Sequence, residues 1–391
     1  MYRPRLKVVC CKHVANEPEK GQESMARLRV GIIGTGRKKV RPDAMGFAMA
    51  YAHAQAYQDL SDQCELVACA DIVQENATAF AQATGIPPEG IFTDYKKMLA
   101  ESNLDLVSIC TWPHLHAPMV IDCAQAQVRA IHCEKPMADS WGAARLMEQE
   151  CERRGVQLTI NHQRRFGGPF RKAKTLLTSG TIGDLQRIEI ACSNLFDWGT
   201  HYIDMCGFYS GDQPAEWVLG QIDYRAENFA FGAHLENQAI GQWRYINGVF
   251  GFIATGLGEA MVGADNRLIG TDGIIEVGVH DTRPGARSYH REPLLRVKRR
   301  GSSEWENVDT DNEDMHSFSY IGRGLADAID ALQTGREPEL SARRALNTTE
   351  IIFALYESSR KRGCVDLPLR IDDHPLVTMI QTGDLHPAPR T

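Results

Sequence analysis

The 391-residue chain predicts an α/β half followed by an α+β half: a doubly wound parallel sheet, then a domain with an open, mostly antiparallel sheet flanked by helices. Three observations carry this. Short apolar strands alternate with helical stretches through about residue 161, the pattern of parallel crossovers. Gly34, Asp71, Thr111, Glu134 and Asn161 fall at or just past the ends of those strands, on the edge where such sheets bind ligands. From Trp217 to about Val308, β-type stretches recur, punctuated by glycine, which suits antiparallel pairing. The expected domains are 26–162 and 163–371. Residues 1–25 read as a loose extension, or as a start codon placed too early, and 372–391 as a tail.

The first strand, Leu28 to Ile33, runs into Gly34-Thr35-Gly36. Glycines here permit a tight turn and let the backbone approach a pyrophosphate seated on a helix N-terminus. Lys39 stands where the third glycine of that fingerprint belongs, and Arg37 to Asp43 reads as an inserted basic loop before a helix resumes near Gly46 and runs through Tyr57. The second strand, Glu65 to Ala70, ends at Asp71. An acidic side chain there can accept from the adenosine ribose hydroxyls, or cap the following helix. Its charge favours NAD over NADP, whereas Arg37, Lys38 and Lys39 argue for NADP. Leu106 to Cys110 is a third strand, with His116 to Gln125 helical after it. Ala130 to Cys133 is a fourth, ending on Glu134-Lys135-Pro136, where the proline stops the strand and biases Lys135 toward an extended backbone. A helix from Ser140 to Arg153 and a strand from Gln157 to Asn161 complete the half.

Composition narrows the class. A net charge of −7 gives no reason to expect a nucleic-acid partner. No apolar run is long enough to cross a membrane. The eleven cysteines show no spaced pairs, which suits a reducing cytoplasm and neither a disulfide framework nor a zinc site. His114 and His116 lack carboxylate or thiolate company, so no metal is expected.

Taken in order, Gly34-x-Gly36, Asp71, Thr111-x-Pro113-x-x-His116, Glu134-Lys135-Pro136 and Asn161-x-x-Arg164-Arg165-Phe166 resemble the glucose–fructose oxidoreductase/inositol dehydrogenase/rhizopine catabolism (Gfo/Idh/MocA) family. The resemblance spans residues 28 to about 370. It implies a Rossmann domain binding NAD, with NADP possible, through Gly34, Thr35, Gly36, Arg37, Asp71, Ile72, Thr111, Trp112, Pro113, His116, Glu134, Lys135 and Arg164. It also implies a homodimer or homotetramer, a carbohydrate or polyol substrate, and an antiparallel sheet often used for subunit pairing.

In the second half, Gly168 to Thr178 reads as a helix and Leu185 to Cys192 as a strand. Asp197 and His201 follow at i, i+4, one turn apart if helical. Alone they read as a cap and a core histidine, or as a base and its orienter. Inositol dehydrogenase-like members carry Asp-x-x-x-His at this point, and the resemblance favours the second reading. The segment between Arg165 and Asp197 is short for the family, which would reshape the substrate pocket. The expected strands are Trp217 to Tyr224, Ala239 to Ile246, Val249 to Ala254 and Gly273 to Val279, with a charged hairpin tip from Arg296 to Glu306. A helical core stripe runs through Ala342, Ala345, Leu346, Thr349, Ile352, Phe353 and Tyr356, capped by Ser341 and Gly363.

The expected activity is hydride transfer between the nicotinamide and a secondary alcohol of a sugar, inositol or related polyol. The catalytic candidates are Lys135, Asp197 and His201. His201 is the first choice of general base because its unperturbed pKa is near neutrality, with Asp197 orienting it. Lys135 would bond the substrate oxygen, or take the proton itself if burial lowers its pKa. His162, Arg164 and Trp198 join these three as substrate-binding candidates. Two alternatives remain open: elimination, epimerisation or glycoside cleavage with an internally recycled NAD, and a non-catalytic sensor.

Overall fold

The computed structural model describes residues 26–37, 49–281 and 289–389. The expected N-terminal extension and most of the basic insertion, including Lys38 and Lys39, lie outside the described residues.

In the first half β1 (Leu28–Ile33), β2 (Cys64–Ala70), β3 (Ile91–Phe92), β4 (Leu106–Ile109), β5 (Ala130–Cys133) and β6 (Gln157–Ile160) form one parallel sheet in the order β3-β2-β1-β4-β5-β6. The strand order reverses at β1, between β2 and β4, which places a ligand crevice there. The connecting helices are α1 (Met49–Asp59), α2 (Gln74–Thr84), α3 (Tyr95–Glu101), α4 (Pro113–Gln125) and α5 (Trp141–Arg154). Helix α4 begins earlier than expected because Pro113 occupies its first turn, where a missing N–H costs nothing. Ser140 caps α5 through its Oγ, which accepts from Ala143 N–H at 3.3 Å.

After α6 (Gly168–Thr178) come β7 (Leu185–Cys192), α7 (Gly199–Ser210), β8 (Ala215–Asp223) and a two-strand hairpin of β9 (Phe229–Ala230) and β10 (Ala233–His234). Then follow β11 (Gln238–Tyr245), β12 (Phe250–Thr255), β13 (Ala264–Gly270), β14 (Gly273–Val279), β15 (Leu295–Arg299) and β16 (Glu306–Asn307). Two long helices, α8 (Ser319–Thr334) and α9 (Ala342–Lys361), precede β17 (Val365–Asp366) and α10 (Pro375–Gln381). The nine-stranded sheet runs β16-β15-β14-β13-β7-β12-β11-β8-β17 and is antiparallel except for β7 beside β12.

Three sequence expectations are corrected. Residues 372–389 are no tail: α10 buries Leu376 and Met379, spaced three apart on one face, and Arg360 of α9 pairs with Asp373 at 2.5 Å. The charged stretch 296–306 is not only a tip, because Arg296 and Val297 pair with Asn307 and Glu306. Helix α9 ends on Arg362 in the left-handed conformation and not on Gly363, while the Ser341 hydroxyl donates to Glu337 Oε1 at 2.7 Å instead of capping. The core stripe on α9 is buried as expected, with Leu346 partly so.

Candidate active site

The C-terminal ends of β1, β2, β4 and β5 open onto a cleft of about 910 Å³ whose far wall comes from the second domain. At its near end Gly34 and Gly36 have φ of 84° and 61°. A Cβ on Gly34 would meet Thr111 Cγ2 at 2.6 Å, so the turns that follow β1 and β4 lie this close only because the residue is glycine. Asp71 pins this turn. Its Oδ2 accepts from Gly36 N–H at 2.8 Å and Thr35 Oγ1–H at 3.0 Å, and its Oδ1 from Val73 N–H at 2.9 Å. A carboxylate has about four acceptor sites, so capacity for a ribose hydroxyl remains. Ile72 beside it is 91% exposed, Val73 43% and Trp112 52%, giving apolar walls to a cleft with a polar floor. Such a strand-end cleft fits a dinucleotide: a glycine turn for the pyrophosphate, an acidic strand end for the ribose and flat apolar surfaces for the rings.

At the centre Lys135 leaves the end of β5. Its Nζ donates to Asp197 Oδ1 at 2.7 Å. Asp197 lies in the turn before α7, where Asn194 Oδ1 accepts from the Asp197 and Trp198 N–H groups at 2.8 and 3.2 Å. Glu134 points the other way, into the sheet. Its Oε1 accepts from His53 Nε2 of α1 at 2.9 Å and from Asn161 Nδ2 at 2.7 Å. Burial disfavours charge on both partners. It is outweighed on His53 by Cys110 and Glu134, which raise the pKa to about 10, and on Glu134 by His53, Asn161 and Lys135, which lower it to about 2. A thiol held protonated by burial, as Cys110 is, carries no charge, so Glu134 is the anion that matters.

The far wall holds His201, Arg164, Trp198 and His316. His201 Nδ1 and Arg164 Nη2 are buried without a hydrogen-bond partner among the described residues. Burial, with Lys135, Arg164, His162 and His316 around it, holds the His201 pKa well below 6.5. Burial and nearby Arg164 likewise lower His316 to about 4. Arg164 stacks on the Tyr202 ring at 4.3 Å and donates through Nη1 to Asp265 Oδ2 at 3.2 Å.

Both halves match family descriptions: an oxidoreductase family with an NAD-binding Rossmann fold over residues 28–162, and the C-terminal alpha/beta domain of that family over residues 186–367. The chain belongs to the Gfo/Idh/MocA oxidoreductase family. It is 26% identical to D-apiose dehydrogenase of Paraburkholderia graminis over 85% of this chain and 90% of that protein. It is 24% identical to myo-inositol 2-dehydrogenase of Thermotoga maritima over 62% and 72%. Among solved structures, the WlbA dehydrogenase of Bordetella pertussis in complex with NADH and UDP-GlcNAcA superposes with a TM-score of 0.67 at 22% identity, over 88% of this chain and all 100% of that one. As a member of the family, the chain is an NAD-binding oxidoreductase.

Set against the sequence-derived Gfo/Idh/MocA site, Gly34, Gly36, Asp71, Ile72, Thr111, Trp112, Pro113, Glu134, Lys135, Arg164, Asp197, Trp198 and His201 all line the cleft. Thr35 is buried beneath it and acts through Asp71, and Arg37 is exposed outside the lining. Four expectations change. His116 is buried away from the cleft, its nitrogens on the carbonyls of Pro136 at 2.8 Å and Thr111 at 3.0 Å, so it ties two loops together. His162 turns its Nε2 to Thr200 Oγ1 at 2.9 Å and faces α7, not the cleft. Asp197 does not orient His201. It precedes α7 while His201 lies within it, and its carboxylate is taken by Lys135. Nor is the His201 pKa near neutrality. His53, Asn194 and His316 were not legible as site residues. His53 and His316 lie far along the chain from the residues they meet, Asn194 serves the turn three and four residues after it, and none carries a distinctive local pattern.

Proposed function

We propose that the protein oxidises a secondary alcohol of a sugar, inositol or related polyol, with NAD as hydride acceptor. The observation that carries this reading is the Lys135–Asp197 pair at the middle of one cleft, with His201 on the wall opposite the glycine turn, its Nδ1 without a partner among the described residues. The names of the relatives, a D-apiose dehydrogenase and a myo-inositol 2-dehydrogenase, support the substrate class.

When bound, the nicotinamide supplies the hydride acceptor. Lys135 donates a hydrogen bond to the substrate oxygen and favours negative charge developing there. Asp197 holds the ammonium in place through its Oδ1. His201 is neutral at pH 7 because burial, and after it the nearby Lys135 and Arg164, make protonation unfavourable. It therefore presents a lone pair, and we assign it the role of accepting the hydroxyl proton as the C–H bond breaks. Asp71 favours NAD, since a 2′-phosphate would face its carboxylate.

The test is NAD reduction by purified protein against a panel of inositols, aldoses and glycosides. In Lys135→Ala, turnover is expected to fall by about 10²–10⁴-fold while NAD binding, read by fluorescence, persists. Turnover unchanged in this variant refutes the role of Lys135.

A further inference from the structure

Asp265 is fully buried on β13, behind Arg164. Its Oδ2 takes the Arg164 guanidinium, and its Oδ1 meets two imidazoles, His280 Nε2 at 3.0 Å and His290 Nε2 at 2.9 Å. These three atoms lie within 4.8 Å of one another, and among the described residues this is the one such group of His, Cys, Asp and Glu ligands. The backbone explains the convergence. His280 and His290 are partners in an antiparallel bridge, so their side chains leave the same face. Asp281 N–H donates to Tyr289 O, and Arg291 N–H to Val279 O, both at 2.9 Å, which locks the pair. His280 N–H donates to Gly263 O at 2.9 Å, and Ala264 pairs with Val279, bringing Asp265 alongside the rings.

We propose that Asp265, His280 and His290 hold a divalent transition-metal ion of the zinc class. Two imidazoles and a carboxylate suit zinc and its first-row neighbours, whereas magnesium and calcium prefer oxygen ligands throughout. Three protein ligands leave a fourth position for water. On binding, each imidazole turns an Nε2 lone pair inward with its proton on Nδ1, and two N–H contacts to Oδ1 are exchanged for three bonds to the ion. Arg164 on Oδ2 acts as the outer partner that fixes the carboxylate plane. His316, with its ring 5.9 Å from that of His290, stands between the site and the cleft it lines. The ion joins β13 to the His280–His290 bridge and thereby steadies Arg164 at the cleft wall. Neither this site nor its test depends on the substrate proposed above.

The same contacts without an ion would be a carboxylate shared by two N–H donors, and the experiment separates the two. Full-length protein is stripped with a chelator, incubated with Zn²⁺ and freed of unbound metal. Elemental analysis is expected to find about one zinc per chain, and Co²⁺ in its place to give the visible absorption of a tetrahedral nitrogen–oxygen site. His280→Ala and His290→Ala should lose both signals while still binding NAD, and His386→Ala, altered at an exposed histidine, should keep them. Wild-type protein that retains no zinc and shows no cobalt absorption overturns the proposal, with no variant needed. So does zinc content unchanged in both histidine variants.

Discussion

The His53–Glu134 pair shows how one buried contact supports a neighbouring lysine. Glu134 and Lys135 are adjacent, yet the strand end turns one side chain inward and the other toward the cleft. The inward carboxylate is tolerable only because His53 and Asn161 satisfy it. Removing one member of a buried ion pair leaves the other uncompensated, so His53→Ala is expected to destabilise by about 3–5 kcal/mol in urea unfolding at pH 6. The pair also has a pH signature. His53, held above 6.5 by Glu134 against the effect of burial, contributes stability that is complete below pH 6.5 and lost as pH rises through its raised folded value. Glu134, lowered from 4.5 to about 2, contributes stability present above pH 4.5 and lost as pH falls through 2. Unfolding free energy should therefore be lower at pH 9 than at pH 6, and equal values would argue that His53 is not charged. Lys135 was legible because strand, charge and proline are contiguous. His53 was not, because nothing within its own helix distinguishes it from a core histidine.

At the level of elements, strand ends and helix caps were readable and their partners were not. Strands β7 and β14 and helix α6 fall on the expected residues, since each shows its own local pattern, an alternation in β7, an apolar run in β14 and a helical stripe in α6, bounded by glycine or a turn. Helix α10 was missed because it is only two turns long and follows charged residues Asp372 and Asp373. Its stability comes from Leu376 and Met379, buried in the core that α9 shares, and from His374 at its start, whose ring meets those of Phe353 and Tyr356. A helix this short is marginal alone. Leu376→Ala should cost about 2–5 kcal/mol, far more than a side chain in a loose terminus. A thermal midpoint indistinguishable from wild type would return these residues to the status of a tail.

The molecule as a whole was predicted as two domains in sequence, and the structure joins them along their length. One contiguous core cluster runs from Ile33 in β1 to Met379 in α10. Ile160 N–H of β6 donates to Leu340 O at 3.0 Å, Gly142 N–H to Asp372 O at 2.9 Å, and Trp141 Nε1 to Leu369 O at 3.0 Å. The Lys135–Asp197 pair crosses the same boundary. Periodicity reports which residues are buried but not which distant element buries them, so this union could not be read from the sequence. It has a thermodynamic consequence. Opening either half would expose core from both, so the protein should unfold in one cooperative transition despite its length. A ligand that binds only the folded state stabilises by about 2.7 kcal/mol at a concentration 100 times its Kd. NAD at that excess should therefore move the whole transition upward. A calorimetric scan with two peaks, only one of them shifted by NAD, would show that the domains unfold separately and that the shared core does not couple them.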